Sequence, residues 1–186
     1  YQMHRYYMSL ILTILAYFLM MPVVFASPYE NLKWGSPLKD FQRFSHKENL
    51  HCVVNKKSIR HSCETKFSKQ PARADFYIAP ELGLYKIDFR MRIGTFRSGI
   101  TKSLDQNFRK ASRTLARSLI KRYGEASGYI KEKQLAYWTS LDNGETKLKY
   151  WIQTQPYHLL RASYESTNIQ SQIDENKLLQ AIQNLP

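Results

Sequence analysis

The sequence predicts an α+β domain in which a mainly antiparallel sheet is packed by one long amphipathic helix, with short helices at each end. Three stretches carry that prediction. Residues 103–124 have the caps and the apolar spacing of a helix. Residues 84–93 alternate apolar and charged side chains along their whole length. Asn143-Gly144 stands between two strand-like runs, 135–141 and 145–153.

At the N-terminal end, Met3 is read as the start, with residues 1–2 upstream of it. His4 and Arg5 precede an apolar run over 8–25, and Val24 and Ala26 are small enough for the −3 and −1 positions of a signal-peptidase site. A signal peptide over 1–26 is expected, cleaved between Ala26 and Ser27, which leaves a periplasmic or secreted chain. The run is nearly long enough to span a bilayer, so an uncleaved anchor is the alternative, and membrane contact is expected only then. Pro22 and the small-residue site favour cleavage. No cysteine stands near the cleavage region, which argues against a bacterial lipoprotein.

Residues 27–186 are expected to form one domain, large enough to bury roughly 68–70% of the surface exposed by its unfolded chain. After an extended lead-in and Trp34-Gly35, Ser36 precedes Pro37 as an N-cap before a first-turn proline. That opens a short helix with Leu38, Phe41 and Phe44 on its buried side. A hairpin follows over 50–55 and 60–67. The chain has two cysteines, and export makes a Cys52–Cys63 disulfide the expected state. Unpaired thiols are the alternative. Pairing Cys52 with Cys63 fixes the register: His51 faces Glu64, and His61 shares the other face with the cysteines. Residues 68–80 carry two prolines and read as a connection, with a short strand at 76–78.

In the strand over 84–93, Tyr85, Ile87, Phe89, Met91 and Ile93 point one way, while Lys86, Asp88, Arg90 and Arg92 form a charged outer face. The central helix then begins. Ser103 is the expected N-cap and Gln106 completes a capping box. Gly124 provides the left-handed end. Leu104, Phe108, Ala111, Leu115 and Leu119 share one face at spacings of four and three. Arg109, Arg113 and Arg117 lie four apart on another, with Lys110 and Lys121 beside them.

A loop is expected from Gly124 to about Lys133. Asn143-Gly144 then supplies the positive φ angles of a type I′ turn. That register puts Leu135, Tyr137, Thr139 and Leu141 on one face with Thr146, Leu148, Tyr150 and Ile152. Ala136, Trp138, Lys147, Lys149, Trp151 and Gln153 fall on the other, with Trp138 opposite Lys149. A strand over 157–165 follows Pro156, and Asp174 caps a last helix carrying Leu178, Leu179, Ile182 and Leu185.

The chain holds 28 Lys and Arg against 15 Asp and Glu, a net +13. Removing 1–26 takes away only Arg5 of these. Such a charge attracts anionic partners without choosing among them. Two surfaces are candidates for binding: the helix stripe Arg109, Lys110, Arg113, Arg117 and Lys121, and the hairpin face Trp138, Lys147, Lys149 and Trp151. Indoles flanked by ammonium groups stack on rings while the lysines meet an anion. The plainer readings are a solvated helix face and tryptophans packed beneath a neighbouring element.

No GxGxxG, P-loop, HExxH, GxSxG or CxxC is present, so no catalytic residue, metal site or cofactor is expected. A His51–His158 acid–base pair would suit a small ribonuclease, but nothing in the spacing singles that pair out. Nucleic acid is admitted as a partner by the charge and supported by no motif.

Trp34-Gly35, Tyr123-Gly124, Trp138 and Tyr164 together give the chain a resemblance to small uncharacterised bacterial periplasmic or envelope proteins. These have a signal peptide, an early Trp-Gly with a short helix, a long helix ending in Tyr-Gly, a tryptophan-bearing hairpin and a final Tyr-containing strand. The resemblance implies a binding or structural role and brings no activity with it. The expected function is an exported, non-enzymatic binding or adaptor protein whose partner is an acidic protein or an anionic envelope polymer. A small secreted hydrolase of a polyanion such as RNA is the alternative. An enzyme inhibitor also fits the size and the disulfide, although like charges set it against a strongly basic target.

Overall fold

The computed structural model describes residues 28–29, 31–55, 57–67, 70–92, 102–141, 144–153 and 159–173. The expected signal peptide, the turn residue Asn143, His158 and the last helix after Asp174 lie outside these residues. Helix α1, Leu38–Lys47, leads into four strands: β1 His51–Val53, β2 Arg60–Phe67, β3 Gln70–Ala79 and β4 Gly83–Arg92. Helix α2, Lys102–Tyr123, leads into four more: β5 Gly128–Ile130, β6 Leu135–Leu141, β7 Thr146–Gln153 and β8 Leu159–Ser166. A single helical turn, α3, Thr167–Gln170, follows β8. All eight strands join one sheet in the order β1-β2-β3-β4-β8-β7-β6-β5, antiparallel throughout. An α+β fold with a mostly antiparallel sheet is therefore present.

No repeat is legible in the residues, yet the topology repeats. Each half is a helix followed by a four-stranded meander in which neighbours in sequence pair. The two meanders meet where β4 and β8, the last strand of each, lie side by side.

One face of the sheet carries the core. Phe76, Ile87, Phe89, Leu148, Leu160 and Tyr164 are all at most 1% exposed, and they join Phe41 and Phe44 of α1 with Phe108, Leu115 and Leu119 of α2. The Phe41 ring lies 4.7 Å from Phe76 and 5.8 Å from His61. Tyr150 donates its hydroxyl hydrogen to the Ser112 carbonyl at 3.1 Å, and burial pushes its pKa up to about 12. The hairpin β1–β2 has the register the cysteines require, with His51 opposite Glu64. The Cys52–Cys63 bond closes it. In the chain-entropy model a loop of this length is worth about 3 kcal/mol. The disulfide points to an oxidising, non-cytoplasmic compartment.

Five expectations are corrected. The cap of α1 is Pro37, without a side-chain hydrogen bond. Ser36 instead accepts at its carbonyl from the Leu84 N–H (2.9 Å), while the Gly35 N–H donates to the Leu84 carbonyl (2.8 Å), so this segment is tied to β4. Lys102 already lies in α2, placing Ser103 inside the first turn. Residues 70–79 form a ten-residue strand rather than a connection. Its pairing with β4 begins at Arg73, so the missing N–H of Pro71 removes nothing from that ladder. Residues 128–130 are an edge strand rather than loop.

The fifth correction is one of register. Irregularities at Tyr77/Ile78 and at Trp138/Leu141 each move a residue across the sheet. In β4, Leu84 takes the core position opposite Ile78, and the Tyr85 ring lies beside Tyr77 at 6.1 Å. In β6, Leu141 still faces Thr146, but Trp138 faces Leu148 rather than Lys149. The indole is 3% exposed, and its Nε1–H donates to the Gly124 carbonyl at 3.0 Å. The bulge places the larger ring in the core beneath the end of α2 and leaves Tyr137 outside.

Candidate anion-binding interface

Strand alternation assigns the opposite face of the sheet. Among the described residues neither α1 nor α2 packs on it, since both bury their apolar sides in the core. The register arranges its side chains in rows that cross the strands. One row runs Glu64, Arg73, Arg90, Arg161, Trp151 from β2 to β7. The next runs Ser62, Asp75, Asp88, Ser163, Lys149, Tyr137. A third runs Arg60, Tyr77, Lys86, Glu165, Lys147.

Three arginines stand directly opposite one another on β3, β4 and β8, over about 10 Å at the usual strand spacing. Like charges in such positions repel and cost stability. The neighbouring acidic row offsets part of that cost. Asp75 accepts from the Ser62 hydroxyl (2.5 Å), from Arg60 Nη2 (2.8 Å) and from Arg90, and Arg73 Nε lies 3.9 Å away. Its side chain is 2% exposed. Burial alone would raise its pKa, but the Ser62 hydroxyl and the Arg60 and Arg90 guanidinium groups outweigh burial and hold the carboxyl below the ordinary range.

A second ion-pair chain continues along the sheet. Lys86 Nζ lies 3.4 Å from Asp88 and 3.6 Å from Glu165, and Lys149 Nζ donates to Glu165 at 3.2 Å. Lys86 also sits 5.3 Å above the Tyr77 ring. At the end of the arginine row, the Arg161 guanidinium lies 4.7 Å over Trp151. Arg161 thus stands within cation–π range of the indole.

Of the residues expected to bind, Lys147, Lys149 and Trp151 meet on this face. Trp138 does not, because the bulge turns it into the core. Arg109, Lys110, Arg113, Arg117 and Lys121 are exposed along α2. Since α2 covers the core side of the sheet, the stripe and the open face form two separate surfaces. Arg73 and Arg161 were not singled out by the sequence. Their signal was the alternation Ala72, Ala74, Phe76, Ile78 and Leu160, Ala162, Tyr164, which leaves the intervening arginines on one face.

For acid–base chemistry, His51 faces Glu64 at the edge of the sheet, whereas His61 is 1% exposed on the core side. Burial lowers its pKa. Among the described residues no three His, Cys, Asp or Glu side chains converge as a metal site requires, and no helix is long and apolar enough to cross a membrane. Compared with protein-family models, curated proteins and solved structures, the chain finds no match.

Proposed function

We propose that this is an exported, non-enzymatic binding or adaptor protein of a bacterial envelope, and that the open face of the sheet takes its anionic partner. The reading rests on one observation above the others: Arg73, Arg90 and Arg161 lie in direct cross-strand register and end on Trp151. A carboxylate-, phosphate- or sulfate-bearing partner relieves the mutual repulsion of that row, and Lys147 and Lys149 extend the field. The partner is an acidic protein or an anionic envelope polymer. Periplasmic residence after cleavage between Ala26 and Ser27 accords with the disulfide.

The test is capture of partners from native envelope after mild crosslinking, repeated at rising salt. Arg73→Gln/Arg161→Gln and Trp151→Ala are compared with the stripe variant Arg109→Gln/Arg113→Gln/Arg117→Gln. Recovery should fall roughly tenfold for the sheet variants, as expected for lost charge-assisted and ring contacts worth about 1.4 kcal/mol, and should be unchanged for the stripe. Loss with the stripe variant alone would overturn the assignment of the face. Turnover of RNA that disappears on changing His51 would overturn the non-enzymatic reading.

A further inference from the structure

Beyond Trp151 the arginine row runs on to the edge of the sheet. From Arg161 the register passes through Trp151 on β7 and Leu135 on β6 to Ile130 on β5. The order is cation, indole, aliphatic, aliphatic, in steps of about 4.8 Å. A single 3-10 turn, Lys131–Lys133, joins β5 to β6, and Lys131 and Lys133 stand exposed at it. Gln134 closes the turn: its N–H donates to the Lys131 carbonyl at 3.1 Å, and its carbonyl accepts from the Ile152 N–H at 3.4 Å. Four large apolar side chains are exposed among the described residues, and the two that are neighbours in the chain stand here, Tyr129 (61%) and Ile130 (36%).

We infer that this corner is a membrane-surface site, at which the β5 edge enters the interface of an anionic phospholipid bilayer. Side-chain direction selects a fluid occupant. Successive residues of a strand point to opposite faces, so a flat protein surface laid on the sheet covers Tyr129 or Ile130 but not both. A lipid interface closes around the edge and covers the two together. The β5 backbone is a poor template for an added peptide strand, because it is three residues long and a lysine follows it directly. The row also matches the layering of a bilayer. With Ile130 deepest, Trp151 stands about 10 Å and Arg161 about 14 Å above it. Interfacial apolar faces bury about 5–10 Å into the headgroup and acyl boundary. The indole then falls at the boundary, where tryptophan is enriched, and the Arg161 guanidinium falls among the phosphates. Tyr129 buries its ring and keeps its hydroxyl at headgroup level. Glu132 separates the two lysines, and the field of the whole chain, net +13, adds to theirs. This contact is peripheral, unlike the anchor that an uncleaved run over 8–25 would give. It shares Trp151 and Arg161 with the face proposed for the anionic partner, but not Arg73 or Arg90.

The exported protein is sedimented with vesicles of equal phosphatidylcholine and phosphatidylglycerol, and with phosphatidylcholine alone, at physiological salt. The anionic vesicles should bind about tenfold more tightly. Tyr129→Ala/Ile130→Ala should weaken that binding about tenfold, and so should Lys131→Gln/Lys133→Gln. Arg73→Gln, at the far end of the row, and Val53→Ala, on the opposite edge of the sheet, should leave it unchanged. A fluorophore on Tyr129→Cys should be quenched by nitroxide-labelled lipid, and one on Val53→Cys should not. That second readout reports the corner itself whether or not residues 1–26 remain. Unaltered binding in Tyr129→Ala/Ile130→Ala, equal binding to neutral vesicles, or no quenching at position 129 overturns the proposal. So does a dimer of the parent protein that Tyr129→Ala/Ile130→Ala abolishes, because a second copy then covers the edge.

Discussion

Gly83 shows how much one missing side chain can decide. Its φ is +73°, and a Cβ placed there would lie 2.1 Å from the Gly35 carbonyl oxygen. Two constraints coincide, a left-handed backbone and a close approach of two chains. Gly144 has a φ of +89° but nothing within 4 Å of a Cβ, so only the first constraint applies. Gly83→Ala should therefore cost about 3 kcal/mol or more, and Gly144→Ala about 1 kcal/mol. Urea denaturation of the two variants measures both, and equal losses would mean that the Gly35 contact yields without cost. In the sequence Gly35 stands out only as part of Trp34-Gly35, and nothing there signals its tie to β4. That tie joins residues far apart along the chain, and single-position patterns do not report such contacts. Trp34 itself donates from Nε1 to Thr146 Oγ1 at 2.7 Å, a link between the two halves that is equally silent in sequence.

Elements differ in how plainly they announced themselves, and the differences have physical causes. The first hairpin was legible because a covalent bond pins Cys52 to Cys63, and alternation does the rest. Helix α2 was legible because its apolar residues keep one period over its length. In the second hairpin the register that Asn143-Gly144 implies matches the pairing at Leu141–Thr146 and not at Trp138, because a bulge inserts a residue between those pairs. Tyr137 and Trp138 are both aromatic, so alternation alone gave no preference for which goes inside. β3 is obscured by Pro71 and Pro80, although Pro71 precedes the start of the β3–β4 ladder at Arg73 and Pro80 falls just beyond the strand. The arginine row followed β3 into obscurity, since its members become neighbours only when β3, β4 and β8 are set side by side.

Within β2 and β3, two titrating side chains predict how stability follows pH. His61 is buried and its pKa is lowered, so the unfolded chain binds that proton more readily. Its contribution is complete above about pH 6.5 and declines as pH falls below that value. Asp75 is also lowered, so its contribution is complete above about pH 3.8 and declines as pH falls through the carboxylate range towards its folded value. Denaturant midpoints should thus fall in two stages on acidification, each group contributing at most about 1.4 kcal/mol per pH unit. His61→Phe should remove the first stage and keep the second. A single descent beginning below pH 4 in the parent protein would refute the assignment to His61.

At the scale of the whole molecule, one seam joins the two meanders. Every ladder except β4·β8 connects strands adjacent in sequence, whereas Ile87 meets Tyr164 and Phe89 meets Ala162 across about 75 residues. The seam consists of seven residue pairs. Parting it leaves the internal ladders of both halves intact and bares a complementary edge on each. In a crowded solution of refolding chains, the β4 edge of one molecule has the same affinity for the β8 of another as for its own. Two chains that trade second halves rebuild every pairing, and the dimer is closed by a two-fold axis. Refolding at high protein concentration should accordingly yield an exchanged dimer that size-exclusion chromatography separates, that keeps the far-UV spectrum of the monomer, and that reverts after unfolding and dilution. Monomer alone at every refolding concentration would mean that the halves cannot form apart. The fold thus carries within a single sheet the parts of a reversible chain-exchange device, built from local hairpins and one long-range bond line.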